Sequence, residues 1–273
     1  MERNSLEPVE ELRQVVSHLK KLMTYDRDMG LEPPILSSST LEYLRKEASS
    51  FNPPEADEGL IPRPLGRLRW FPTDTPLLAA GKFNSLEDLR DFIGECKRCK
   101  LWRGRTNLVF GEGSHKARLV FVGEGPGREE DIAGRPFVGE AGKLLTRIIE
   151  NGMGLKRNEV YICNVVKCRP PRNRDPEKDE IEACLPFLEQ QLRIISPEVI
   201  CTLGRVSAQA LLGGEFKITR ERGKWFSFMD IPLMPTYHPA YLLRNPSAKR
   251  DVWEDAKKIM RHLGLEVREN AQA

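Results

Sequence analysis

Of the four histidines in this 273-residue chain, only His238 stands inside a run that looks built for a task, "YHPAYLLR". His18, His115 and His262 lie in no motif. A second unusual stretch is "GEGPGREEDIAGRPFVGEAGKLL", Gly123 to Leu145, which follows the apolar "RLVFV" and runs into a helical pattern. Strand, glycine loop and helix is the layout of a phosphate cradle. Yet no Gly-Lys-Ser/Thr follows, and the spacing is not Gly-x-Gly-x-x-Gly, so by itself the loop reads either as a tight strand-to-helix turn or as a cradle for something other than a nucleotide's phosphates. The third feature is cysteine. Cys96 and Cys99 form C-x2-C, and Cys168 and Cys184 have 15 residues between them, including the turn "RPPRNRDP". Four thiolates suit tetrahedral zinc or a [4Fe–4S] cluster, and the spacing leaves both open. Cys163 and Cys201 sit in apolar runs and read as small buried hydrophobes.

These residues need elements to position them. "RLVFVG" (118–123), "VYICNVV" (160–166) and "EVICTLG" (198–204) are apolar, β-branched and each followed by a helical pattern, which is how buried parallel strands read. Ser85 reads as the N-cap of a short helix, "LEDLRDFIGEC", that delivers the first cysteine pair. Asp175 and Pro176 read as N-cap and first-turn residue of a helix over 177–195. "KWFSFM" and "IPLMPTYH" supply further strand, and residues 247–263 a closing helix. Alternating strand and helix with right-handed crossovers predicts a three-layer α/β/α sandwich around a mostly parallel sheet. Ligands bind at the carboxyl ends of such strands. The Gly123 loop, Asn164 and the His238 segment all fall there, aimed at one crevice.

Residues 1–51 read as a helical extension, with Val9, Leu12, Val16, Leu19 and Met23 forming a seam too short for an independent coiled coil. It is expected to pack on its own domain or on another protein. Residues 52–84 carry six prolines between Asn52 and Pro76 and read as a linker, 85–264 as the working domain, and 265–273 as a tail. No apolar run approaches a membrane span, and "MERNSLEPVEELRQ" is too polar for a signal peptide. A cytoplasmic protein is expected, in whose reducing surroundings clustered thiols suggest metal before disulfide. Net charge is +3, divided as −3 over residues 1–80 and +6 over 81–273. That excess is too modest to establish a nucleic-acid partner by itself.

The motifs taken together resemble the family 4 uracil-DNA glycosylases, the iron–sulfur type. They are "GEGPG-x3-D-x2-GRPFVG-x-AG-x-LL", "NVVKCRPP-x-NR-x-P", "TLG" and "YHPAYLLR", with C-x2-C upstream and a cysteine 16 positions after Cys168. The resemblance covers about residues 86–264 and says nothing of residues 1–80. It implies a structural [4Fe–4S] cluster on Cys96, Cys99, Cys168 and Cys184 and uracil-containing DNA, single- or double-stranded, as substrate; a monomer associated with the nucleoid is expected. It also implies that Phe137 stacks on the extruded base, that His238 faces uracil O2, and that Glu130 lies near the site. Leu242 or Leu243 would fill the vacated base stack, with Arg244 on a phosphate.

Excising uracil requires extrusion of the nucleotide and stabilisation of a departing anion and a cationic sugar. The glycines at 123 and 125 would let backbone approach the base where a Cβ would collide. The amide of Asn164 can donate to uracil O4 and accept from N3–H, a pairing that cytosine reverses. In the related Gly-Gln-Asp-Pro-Tyr type an aspartate positions the attacking water. Here Gly125 holds that place, so Glu124 becomes the nearest ionisable candidate, with Asn173 and Glu130 next. "KCRPPRNRDPEK" lacks the histidine of a covalent-trapping type, and no lysine stands out as a Schiff-base nucleophile, so a monofunctional glycosylase is expected. The rivals are a catalytically inactive DNA-binding protein of the same fold and an electron-transfer protein. The protonation state of His238 is not legible from sequence.

Overall fold

A computed structural model describes residues 83–267. The expected helical extension, most of the linker and the last residues of the tail lie outside them. A six-stranded sheet is formed by β1 (Glu112–Gly113), β2 (Leu119–Gly123), β3 (Tyr161–Asn164), β4 (Val199–Leu203), β5 (Phe226–Phe228) and β6 (Ile231–Thr236). Its order is β1-β3-β2-β4-β6-β5, with the inner four strands parallel and the two outer strands antiparallel. Every residue of β2, β3 and β4 is buried, as strands covered on both faces must be.

The pleat sorts those side chains into two cores. Val120, Val122 and Ile200 face one layer with Leu185, Leu188 and Leu192 of α4 (Lys178–Ile195) and Leu86 and Leu89 of α1 (Leu86–Ile93). Leu119, Phe121 and Cys201 face the other, with Leu145 of α3 (Glu140–Arg147) and Ile259 and Met260 of α8 (Lys249–His262). The expected α/β/α sandwich is thus present. The remaining α-helices are α2 (Arg128–Ala133), α5 (Arg205–Leu212), α6 (Ile218–Glu221) and α7 (Pro239–Arg244).

Two element boundaries differ from the reading of the sequence. Ser85 does cap α1, accepting from the Asp88 N–H at 3.0 Å, but the helix stops at Ile93, before Cys96. Gly94 ends it at a positive φ of 49°, which leaves Cys96 and Cys99 on a loop. The cap of α4 is Glu177, not Asp175. The Glu180 carboxylate reaches back to the Glu177 N–H at 2.8 Å, completing a reciprocal box that outcompetes the aspartate two residues upstream. Asp175 instead forms an ion pair with Arg205.

Candidate active site and cysteine-lined cavity

The carboxyl ends of β2, β3, β4 and β6 are adjacent, and the register sets Gly123 directly opposite Asn164. A Cβ on Gly123 would lie 2.4 Å from Asn164 Oδ1 and 2.6 Å from the ring of Phe137. The two ends of the Gly123 loop motif and the end of β3 therefore meet at one atom-sized gap that only glycine leaves open. Gly125 is excluded from bearing a side chain for a different reason, since its Cβ would fall 2.7 Å from Val166 Cγ2.

Asn164 is 1% exposed, and its Oδ1 is buried without a hydrogen-bond partner. Such an orphan costs about 1–3 kcal/mol unless something donates to it. Phe137 is buried beside it with φ 51°, an unfavourable backbone region for an aromatic residue. Its ring centroid is 5.6 Å from that of His238.

His238 is the N-cap of α7. Its Nδ1 accepts from the Ala240 N–H at 3.1 Å, and burial drives its pKa down to about 4. A neutral imidazole that accepts at Nδ1 carries its proton at Nε2. The protonation state that sequence leaves open is thus set by a helix cap and by desolvation. Gly204 accommodates the ring's stem, because a Cβ there would lie 3.0 Å from His238 Cβ.

Glu124 is half-buried, and burial, then the negative Asp175, push its carboxyl up to about 7 against the opposing pull of Arg205. Glu130 is occupied otherwise. Its Oε1 accepts from the Val138 and Gly139 N–H groups, both at 2.9 Å, so it clamps the backbone that follows Phe137. Asn173 is exposed, at φ 55°, and its Oδ1 accepts from Arg169 Nε at 2.7 Å. The α7 candidates divide sharply. Leu242, 1% exposed, packs with Leu144 and Ile148, whereas Leu243 is 45% exposed and Arg244 is exposed beside it.

Cys96, Cys99, Cys168 and Cys184 line a single small cavity, with Ile93, Leu101 and Phe187 around them. Among the described residues no three His, Cys, Asp or Glu side chains gather so as to hold a metal ion. N–H donors are aimed at three of the sulfurs. Arg105 Nη1 reaches Cys168 Sγ at 3.2 Å, Arg98 Nη1 reaches Cys96 Sγ at 3.3 Å, and the Lys167 N–H reaches Cys184 Sγ at 3.3 Å. Burial pushes the Cys99 and Cys168 thiols up and Cys184 up to about 12. Thiolates could stand in so apolar a place only against a positive charge, and N–H donors already face three of the four sulfurs. Cys163 and Cys201 are buried in β3 and β4.

Sequence reasoning missed Lys167. It is 1% exposed, and its Nζ donates to the main-chain oxygen of Asn164 at 2.8 Å and to Gln191 Oε1 at 2.5 Å. A lysine inside the apolar run "NVVKC" was the available signal.

A buried orphan acceptor, an aromatic ring and a neutral imidazole thus stand together at the strand ends. The chain belongs to the uracil-DNA glycosylase superfamily, whose family model matches residues 110–257. Within that class its relatives include type-4 uracil-DNA glycosylases. That of Sulfurisphaera tokodaii is 53% identical over 184 residues, covering 64% of this chain and 84% of that protein. Those of Saccharolobus solfataricus and Thermotoga maritima are 47% and 48% identical, covering 64% and 63% of this chain and 85% and 93% of theirs.

Proposed function

We propose that this chain is a monofunctional uracil-DNA glycosylase that extrudes uracil from DNA, hydrolyses its N-glycosidic bond and leaves an abasic site. The observation that carries the reading is the buried, partnerless Oδ1 of Asn164 beside the Phe137 ring. Uracil N3–H supplies the missing donor, and the Asn164 amide N–H donates to O4. Cytosine presents an acceptor at N3 and an amino group at C4, so both bonds would be lost. Phe137 contributes stacking of about 1–3 kcal/mol with little selectivity.

As the N1–C1′ bond breaks, its electron pair passes to the uracil ring and charge gathers on O2. The Nε2–H of neutral His238 donates there, as a preorganised dipole that needs no proton transfer. A water adds to C1′ and its proton passes to the Glu124 carboxylate, whose pKa of about 7 suits a base at neutral pH. That proton then leaves with the uracil. Leu243, the exposed member of its pair, fills the vacated stack, and Arg244 meets a phosphate.

The four cysteines would hold the [4Fe–4S] cluster that the type-4 relationship implies, and their donor set fits it. Held by these cysteines, the cluster would join the 96–99 loop to the segment that follows β3 and to α4, a structural service rather than a redox step. Because Lys167 is next to Cys168 and bonds Asn164, the same lobe supports the specificity residue. The protein would act as a monomer on nucleoid DNA in the cytoplasm.

The test is incubation with a uracil-containing oligonucleotide followed by alkali, using wild type and N164D. Wild type should yield strand scission at uracil, and N164D should be slower by about tenfold to a hundredfold, the cost of one or two unpaired buried groups. Full activity of N164D sinks the specificity assignment, and a silent wild type sinks the enzyme. A colourless, correctly folded wild type prepared anaerobically would refute the cluster.

A further inference from the structure

Phe137 holds a backbone conformation that its own residue type disfavours, so something outside it must impose φ 51°. Three contacts bracket the residue. After it, Glu130 takes the N–H groups of Val138 and Gly139. Beneath it, the carbonyl of Phe137 lies 1.9 Å from where a Cβ on Gly142 would stand, so the start of α3 closes against that peptide. Before it, Arg157 Nη2 donates to the carbonyl of Pro136 at 2.8 Å.

Arg157 lies in the loop before β3, outside every motif in the sequence. All three nitrogens of its guanidinium are engaged. Nε and Nη2 donate to Glu112 Oε1 at 3.0 and 2.6 Å, and Nη1 donates to Thr146 Oγ1 at 2.8 Å. Thr146 in turn donates to the carbonyl of Gly142 at 3.1 Å. Glu112, on edge strand β1, also accepts from Arg135 Nε at 2.7 Å. A planar fork that joins a sheet edge, a helix and one loop carbonyl orients that carbonyl, which a point charge would not do.

We infer that Arg157 is a positioning residue for base excision, which sets the stacking face of Phe137 by pinning the Pro136 carbonyl against Glu112 and Thr146. The inference rests on the reading of the pocket as a uracil site. Without the fork, Phe137 relaxes to negative φ, and its ring leaves the gap between Gly123 and His238.

The experiment is a double-mutant cycle on the full chain with R157Q, R157K, E112Q, F137A and the R157Q/F137A pair. Single-turnover excision is measured on a uracil oligonucleotide, with thermal unfolding alongside. R157Q should slow excision about tenfold in the wild-type background and by less than twofold in F137A, because the residue acts only through that ring. R157K, which keeps charge but loses the fork, should fall between wild type and R157Q. A merely structural arginine would give the same factor in both backgrounds, and that result overturns the proposal. If R157Q does not fold, E112Q combined with F137A runs the same cycle with the same criterion. A crystal structure of R157Q, or of E112Q in its place, gives a readout independent of activity. Phe137 still near φ 51° overturns the clamp, and a shift to negative φ supports it. A wild type inert on uracil defeats the pocket reading instead, which keeps the two failures distinct.

Discussion

Replacing Glu124 by glutamine should make the protein slower and more stable at once. Burial and the nearby Asp175 raise this carboxyl from its ordinary 4.5 to about 7. The folded protein therefore holds the proton more tightly than the unfolded chain does. A raised acid favours the fold below about pH 4.5, and its ionisation opposes the fold increasingly as pH rises through 7. At about 1.4 kcal/mol per unit the ceiling is about 3 kcal/mol, and partial solvent access roughly halves it to about 1–2 kcal/mol. For a domain of this size that corresponds to a rise in Tm of roughly 3–6 °C for E124Q at pH 8. The difference should close as pH approaches 4, where the wild-type side chain is itself uncharged. Activity moves oppositely. If the carboxylate accepts the water's proton, the wild-type single-turnover rate falls about tenfold per pH unit below 7, while E124Q is slow and lacks that limb. Thermal unfolding and single-turnover kinetics across pH 4–9 measure both. An E124Q protein no more stable than wild type at pH 8, or a gap unchanged at pH 4, would falsify the burial assigned to this carboxyl. A wild-type rate that stays flat through pH 7 would remove Glu124 as the base.

Three further outcomes follow from the geometry. His238→Ala should reduce excision by about a hundredfold to a thousandfold, the usual effect of losing one preorganised donor. With its pKa near 4 that loss should be constant from pH 5.5 to 8, and a deficit that grows with acidity would mean a charged imidazole. Leu243→Ala should slow excision from duplex DNA about tenfold and leave single strands nearly unaffected, because only a duplex has a stack to refill. Leu242→Ala should instead lower stability by about 2–5 kcal/mol, the cost of emptying a core position. Exchange of these two phenotypes would reverse the assignment of the wedge.

The inner parallel strands were legible because a strand covered on both faces must be apolar throughout, and "RLVFVG", "VYICNVV" and "EVICTLG" have no other soluble use. The Ser85 cap was legible as a local bond, and the four cysteines as a set. The α4 start was misplaced since several residues of "RDPEKDE" could cap, and the choice went to the pair that reciprocate, Glu177 and Glu180. β1, at two residues, is too short to carry a pattern.

What the chain order alone determined is the set of chemical groups and the strand ends that carry them, because hydrophobic period and glycine placement are properties of neighbours in sequence. Tertiary structure decided their states. The proton on His238 follows from the Ala240 N–H and burial, the Glu124 pKa from Asp175 and desolvation, and the employment of Glu130 from the peptides after Phe137. Leu242 and Leu243, alike in sequence, are divided only by which side of a six-residue helix meets α3. The dielectric surroundings come from residues tens of positions away, as Asp175 is from Glu124, and the nearer partners, Ala240 and the Val138 and Gly139 peptides, meet their groups only once the fold sets the turns between them.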